Sequence, residues 1–309
     1  MSLAGRRGKG KFSIEFRAQE TTLVFGGLDH ARVVKLYLPL HPVARYWLVK
    51  NMLTVPSVVE TRAIAKIRME ELEEARAIQN VMLPRESLCV GAVSIAHEFQ
   101  PVAGVGGDFL DYFLLGDGRM GLYIGDVSGK GLPAAMYATL AVGILRGIHK
   151  TNERPNEVLA QMNKRLLSRG ALRRHAATQY AVFDPKTSQM CIASAGMPGP
   201  VHYSGGHCSV VEVSGIPPGL FPDVQYESVS VTLKAGDSVL FCSDGILEAQ
   251  NARYEDFGIE RLIEICNIQG DRGPSEFLAN IFSAVHEFSQ PIQQHDDMAA
   301  AVFHLSAEK

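Results

Sequence analysis

What this chain lacks narrows what it can be. No uninterrupted apolar run reaches the roughly 18 residues of a membrane-spanning helix, and the N-terminus carries no apolar signal core. The expectation is a soluble cytoplasmic protein without a membrane span. Cys89, Cys191, Cys208, Cys242 and Cys266 form an odd set with no Cys-x-x-Cys and no clustered histidine partners, which argues against a disulfide framework or a zinc site and for a reduced compartment. A formal charge of −3 gives no basic excess for gripping phosphate backbones, so no nucleic-acid partner is expected. Disorder is not the default reading either: 46% of the 309 residues are hydrophobic, enough for one large domain or a domain with an appendage.

The familiar nucleotide and nucleophile motifs are also missing. The stretch Gly125 to Gly131 is one residue short of a phosphate-binding loop, and Gly131 stands where a hydroxyl residue would hold Mg²⁺. The run Gly104-x-Gly106-Gly107 lacks the third glycine and following helix of a dinucleotide fingerprint. Ser128 has no Gly-x-Ser-x-Gly elbow.

What is present centres on residues 105–131. Two apolar, aromatic-rich runs flank Gly116-Asp117-Gly118, whose glycines suit a tight hairpin loop. Counting nine residues outward from Asp117 in both directions reaches Asp108 and Asp126, so an unbulged antiparallel register sets these carboxylates opposite each other. Like charges across a ladder repel, and a shared proton or a bound cation must offset the repulsion. Hard divalent ions such as Mg²⁺ or Mn²⁺ suit facing carboxylates. On these two residues alone the alternative is that both end their strands in solvated turns.

Residues 1–57 form an N-terminal appendage of unknown role. A basic, glycine-rich start precedes alternation at Phe12, Ile14 and Phe16 and strand-like runs at 22–25 and 33–40. A small β element, a sensor-domain remnant and a poorly ordered tail all fit. Residues 57–83 change to a helical pattern, with Ile64, Ile67, Ala75, Ile78 and Met82 near one face and Pro84 stopping the run. Glu71 interrupts the seam, so both a coiled coil and a helix packed on its own domain remain open. Residues 58–85 thus form a connector helix, a candidate for dimerisation or signal relay.

From 88 to 307 one large unit follows. Strands are predicted at 92–98, across the Asp108/Asp126 hairpin, and at 178–183, 190–195, 200–203, 208–213, 226–233, 238–242 and 298–305, with short links that imply antiparallel neighbours. Helices are predicted in two pairs, 133–149 with 155–168, and 259–267 with 274–288. The fold class is α+β: two mainly antiparallel sheets packed face to face, with helices outside. Asp244 follows the apolar run 238–242, and Asp296-Asp297 precedes the apolar run 298–303. Four carboxylate positions at the ends of core strands match a two-metal oxygen site, in which cations roughly 3.5–4 Å apart lower the pKa of a bridging water.

Ala75-Arg76-Ala77-Ile78-Gln79 leading to Met82-Leu83-Pro84, then Gly106-Gly107-Asp108-Phe109 with Asp111, Gly125-Asp126-Val127-Ser128-Gly129-Lys130-Gly131, Ser243-Asp244-Gly245 with Glu248, and Asp296-Asp297-Met298 together resemble the metal-dependent protein phosphatase (PPM) family. The match is to its bacterial branch of stage II sporulation and stress-response sigma-factor regulator phosphatases, over about residues 70–306. The resemblance implies a four-layer α-β-β-α sandwich that hydrolyses phosphoserine or phosphothreonine on a protein with two Mn²⁺ or Mg²⁺ ions, a metal-bridging water serving as nucleophile. It makes Asp108, Asp126, Asp244 and Asp296 the catalytic carboxylates and metal ligands, with the Val127 carbonyl as a further ligand, Asp297 in support and Asp111 as an outer-shell or auxiliary-metal residue. For Asp111 the alternative is simple strand-end solvation.

A phosphorylated anti-sigma-factor antagonist is the implied substrate, a homodimer through 58–85 the implied assembly, and helices 133–168 the implied switch. Two departures from the pattern bear on substrate positioning: Met197 stands where many relatives carry histidine, and the arginine that often precedes Gly-Gly-Asp is absent from 101–105. The rival readings are a catalytically silent pseudophosphatase that binds phosphoproteins, and a two-metal nuclease, which would want a basic groove.

Overall fold

The computed structural model describes residues 2–7, 10–17, 20–26, 31–36, 58–148, 154–168, 174–269 and 272–306, with side chains from 66 onward. The chain divides into two compact units, 1–67 and 68–309. The first contains β1 (Ser2–Arg7), β2 (Gly10–Arg17), β3 (Glu20–Gly26) and β4 (Ala31–Leu36), an antiparallel meander paired in chain order. The alternation at Phe12, Ile14 and Phe16 falls in β2. The basic start, for which a strand was not expected, pairs as β1 with β2, Arg7 opposite Gly10. Residues 37–40 of the run expected at 33–40 lie outside the described residues.

Helix α1 (Val58–Met82) leads into the second unit. There follow β5 (Leu88–Val90), β6 (Val93–Gln100), β7 (Phe109–Leu114), β8 (Met120–Val127), α2 (Leu132–Ile148), α3 (Pro155–Leu167), β9 (Ala176–Asp184), β10 (Gln189–Ala195), β11 (Val201–Ser204), β12 (His207–Val210), β13 (Val229–Thr232), β14 (Ser238–Cys242), α4 (Asp244–Leu247), α5 (Gly258–Gln269), α6 (Pro274–Ser289) and β15 (Met298–Leu305). They build a five-stranded sheet in the order β13-β10-β9-β8-β7 and a six-stranded sheet in the order β12-β11-β14-β15-β6-β5, all pairs antiparallel.

The period-2 geometry of strands explains the layers. In β8, Met120, Leu122 and Ile124 point between the sheets, while Tyr123 and Val127 point to α2 and α3. In β15, Ala299, Ala301 and Phe303 face the inter-sheet core, while Met298, Ala300 and Val302 face α5 and α6. Phe183 and Phe303 meet across the middle with ring centroids 4.9 Å apart. Strands apolar on both faces therefore sit between two helical layers, which is the α-β-β-α sandwich. Among the described residues no helix is long and apolar enough to cross a membrane.

Two local expectations need correction. The packed face of α1 carries Leu72, Ala75, Gln79 and Met82, whereas Ile67 and Ile78 are exposed. The polar Gln79 takes the buried position because it satisfies a backbone peptide there, as described below. Strand β5 and the single-turn helix α4 were not anticipated, since three and four residues are too few to show a period.

Candidate functional site

The hairpin of β7 and β8 pairs Phe109 with Gly125 and Leu114 with Met120. Extending that register by one residue sets Asp108 opposite Asp126. Gly125 makes room for the Phe109 ring, because a Cβ there would come within 2.3 Å of it. The Val127 carbonyl and Asp126 Oδ1 both converge on Gly107, lying 2.9 and 3.3 Å from where its Cβ would stand. The first two motifs thus fold onto one another.

The other two acidic segments arrive from the six-stranded sheet. Asp244 is the first residue of α4, one residue past the end of β14, and Asp296-Asp297 comes just before β15, the neighbour of β14. Contact there is tight: a Cβ on Gly245 would sit 2.0 Å from the Asp297 carbonyl oxygen and 3.4 Å from Asp296 Cβ. Asp297 in turn crosses to the loop between β6 and β7, accepting from the N–H of Val102 at 2.8 Å and of Gly107 at 2.7 Å. Asp297 is therefore the strut between the sheets, and Gly106 must lack a side chain because a Cβ would lie 2.5 Å from its Oδ2.

Electrostatics register the crowding. Burial, then the adjacent Asp126, holds the Asp108 carboxyl well above the usual range, with the Ser243 hydroxyl as a partial offset. Asp126 is pushed up to about 7 by burial and then by Asp244, Asp296 and Asp297. Asp244 is raised by burial and by Asp296, and Asp297 by burial against the opposing pull of its two backbone donors. Asp108 Oδ2 is buried with no hydrogen-bond donor reaching it. Such an atom is destabilising unless a proton or a cation meets it.

Among the described residues, no three His, Cys, Asp or Glu side chains stand close enough to form a finished cation cage. The acids are grouped rather than closed: Asp108 faces Asp126, while Asp296 Oδ2 holds Lys130 Nζ at 2.8 Å. Their donor set is all oxygen, the chemistry hard divalent cations select. Together with the unpartnered Asp108 oxygen and the side-chain-free approaches at Gly106, Gly107 and Gly245, it fits such ions.

Asp111 is engaged by a different set of partners. Its Oδ2 accepts from Arg146 Nε at 3.0 Å and Nη2 at 2.7 Å, and from the Tyr123 hydroxyl at 3.3 Å. Arg146 Nη2 also donates to the Met82 carbonyl at 2.7 Å, so this aspartate joins β7, α2 and the last turn of α1. Met197 is buried in the inter-sheet core and offers the site no polar group. Arg146 went unnoticed in the sequence, and Lys130 stood out only as part of the Gly129-Lys130-Gly131 motif, with no partner assigned. Their partners lie 35 and 166 residues away, beyond any local pattern.

The model of the stage II sporulation protein E (SpoIIE) family matches residues 116–306. The phosphoserine phosphatase RsbU of Bacillus subtilis is 26% identical over 252 residues, covering 78% of this chain and 72% of that protein. The protein IcfG of Synechocystis is 27% identical over 222 residues, covering 63% of this chain and 35% of that protein. Among solved structures, the PP2C domain of SiaA from Pseudomonas aeruginosa superposes with a TM-score of 0.70 at 20% identity, covering 78% of this chain and 98% of that one.

Proposed function

The chain belongs to the stage II sporulation protein E family, and from that premise we propose that it is a metal-dependent phosphoserine/phosphothreonine protein phosphatase of bacterial signalling. The observation that carries the reading is the buried Asp108 oxygen that no donor satisfies, with Asp126 beside it and Asp244 and Asp296 near enough to Asp126 to raise its carboxyl. Asp126 would hold both cations with the Val127 carbonyl as a further ligand, Asp108 would share the site, and Asp244 with Asp296 would hold the second ion. Two Mn²⁺ or Mg²⁺ ions, when bound, would lower the pKa of a water nucleophile and neutralise phosphoryl oxygens.

The chain's own residues supply placement. Asp297 fixes the Val102–Gly107 loop and so sets where Asp108 stands. Gly106, Gly107 and Gly245 let the acidic segments approach without intervening side chains. Ser128 Oγ accepts from the N–H of His175 at 3.2 Å and Arg174 donates to the Ser128 carbonyl, fixing the turn that follows Asp126.

The finer proposals are a phosphorylated anti-sigma-factor antagonist as substrate, a cytoplasmic location, and dimerisation through 58–85. The five free thiols support the location. Exposure of Met69, Ile78 and Val81 on α1 supports the dimer. The test is phosphate release from a phosphoserine protein with Mn²⁺ or Mg²⁺ added. Turnover that vanishes on chelation and in Asp126→Asn is expected. Cation binding without any phosphate release would leave only a phosphoprotein-binding module.

A further inference from the structure

The absent arginine before Gly106-Gly107-Asp108 raises the question of which cation in this chain receives a substrate phosphate. Two other basic side chains are already committed. Arg174 donates to the Ser128 carbonyl and packs against Gly129, and Arg146 is bound to Asp111 and the Met82 carbonyl. Lys130 differs. It sits in the turn between β8 and α2, flanked by Gly129 and Gly131 with φ of +96° and +70°, a backbone that ordinary side chains rarely adopt. Its ammonium lies 2.8 Å from Asp296 Oδ2 and donates to the His295 carbonyl, yet the side chain is 56% exposed.

We propose that Lys130 binds the phosphoryl group of the substrate, and that Asp296 is its resting partner. The inference deepens the phosphatase reading and rests on it for the identity of Asp296 as a cation ligand. Exposed ion pairs of this kind are weak, so sharing the Asp296 carboxylate with a hard divalent cation releases the ammonium. The released group is a compact positive charge on a flexible four-carbon stem, suited to a phosphate as a point charge. It lies four residues beyond Asp126, and α2 begins two residues later, so the positive end of that helix adds to the attraction for an anion.

The test measures binding of inorganic phosphate to the Mn²⁺-loaded full chain by calorimetry, alongside Mn²⁺ titration of the metal-free chain. Lys130→Met is expected to weaken phosphate about tenfold, the range for losing a charge-assisted hydrogen bond, and Lys130→Arg to recover much of it. Mn²⁺ binding should be unchanged or tighter in Lys130→Met, because Asp296 loses its competitor. Phosphate affinity equal in wild type and Lys130→Met overturns the inference, as does a wild type that binds no phosphate. Weakened Mn²⁺ binding in Lys130→Met also overturns it, since the lysine would then act by supporting the cation site. If the wild type releases no phosphate from phosphoproteins while phosphate binding still depends on Lys130, the phosphatase reading fails and this inference stands.

Discussion

Gln79 grips both sides of Gly106: its Nε2 donates to the glycine carbonyl at 2.7 Å and its Oε1 accepts from the glycine N–H at 3.0 Å. Gln79 is buried, and its partner lies two residues before Asp108. The connector helix therefore holds the loop that carries a proposed ligand. Leu72 of the same helix packs on Gly104. In Gln79→Ala two buried backbone groups lose their partners, each costing about 1–3 kcal/mol. A lower unfolding temperature and several-fold weaker Mn²⁺ binding are expected, by thermal melts and calorimetry. Mn²⁺ binding that is indifferent to the change would show that α1 does not support the site.

Asp126→Asn should separate stability from turnover. In the metal-free chain the folded carboxyl titrates near 7, above its ordinary value of 3.8. A carboxyl raised in this way favours the folded state while protonated, fully so below about pH 4, and that contribution is lost as pH rises through 7. Half-buried His97, His175 and His304 are lowered and pull the other way, so the informative quantity is the difference between variant and wild type. Without metal, the unfolding temperature of Asp126→Asn should gain on that of the wild type between pH 5 and 8. Saturating Mn²⁺ should reverse the order. A pH-independent difference would contradict the crowding described for these acids.

Gly245→Ala places a methyl group where only 2.0 Å separates it from the Asp297 carbonyl oxygen, a backbone atom that cannot swing aside. Overpacking of this kind costs about 1–3 kcal/mol. Urea unfolding should show that loss, with activity reduced further because Asp296 and Asp297 are both displaced. Wild-type stability in the variant would mean that the two segments are less tightly packed than described.

Arg146→Met removes the joint between β7, α2 and the last turn of α1. Exposed ion pairs contribute about 0–1 kcal/mol, so global stability should change little. Amide exchange in residues 68–82 should quicken, while the number of Mn²⁺ ions bound stays the same. Unaltered exchange there would show that Arg146 does not hold α1 in place.

The hairpin register was legible because it follows from two glycines and a count: a loop centred on Asp117 leaves Asp108 facing Asp126, as the pairing of β7 with β8 bears out. Buried strands such as β14 and β15 were legible to the residue, since both faces are apolar and turn residues bound them. The supporting role expected of Asp297 gave no hint of how it acts, because its carboxylate accepts from backbone N–H groups 190 and 195 residues away. Gln79 was concealed by its polarity: a helical pattern weighs apolar side chains, and here the buried face of α1 turns on an amide. The expected seam through Ile67 and Ile78 failed for the same reason.

The most direct measurement is the number of divalent cations the carboxylates hold. Titration of Mn²⁺ into the metal-free full chain, followed by calorimetry, should give about two ions per chain and lose at least one of them in Asp126→Asn. A wild type that takes up no Mn²⁺ or Mg²⁺, or an Asp126→Asn chain that takes up as much as the wild type, would contradict the account.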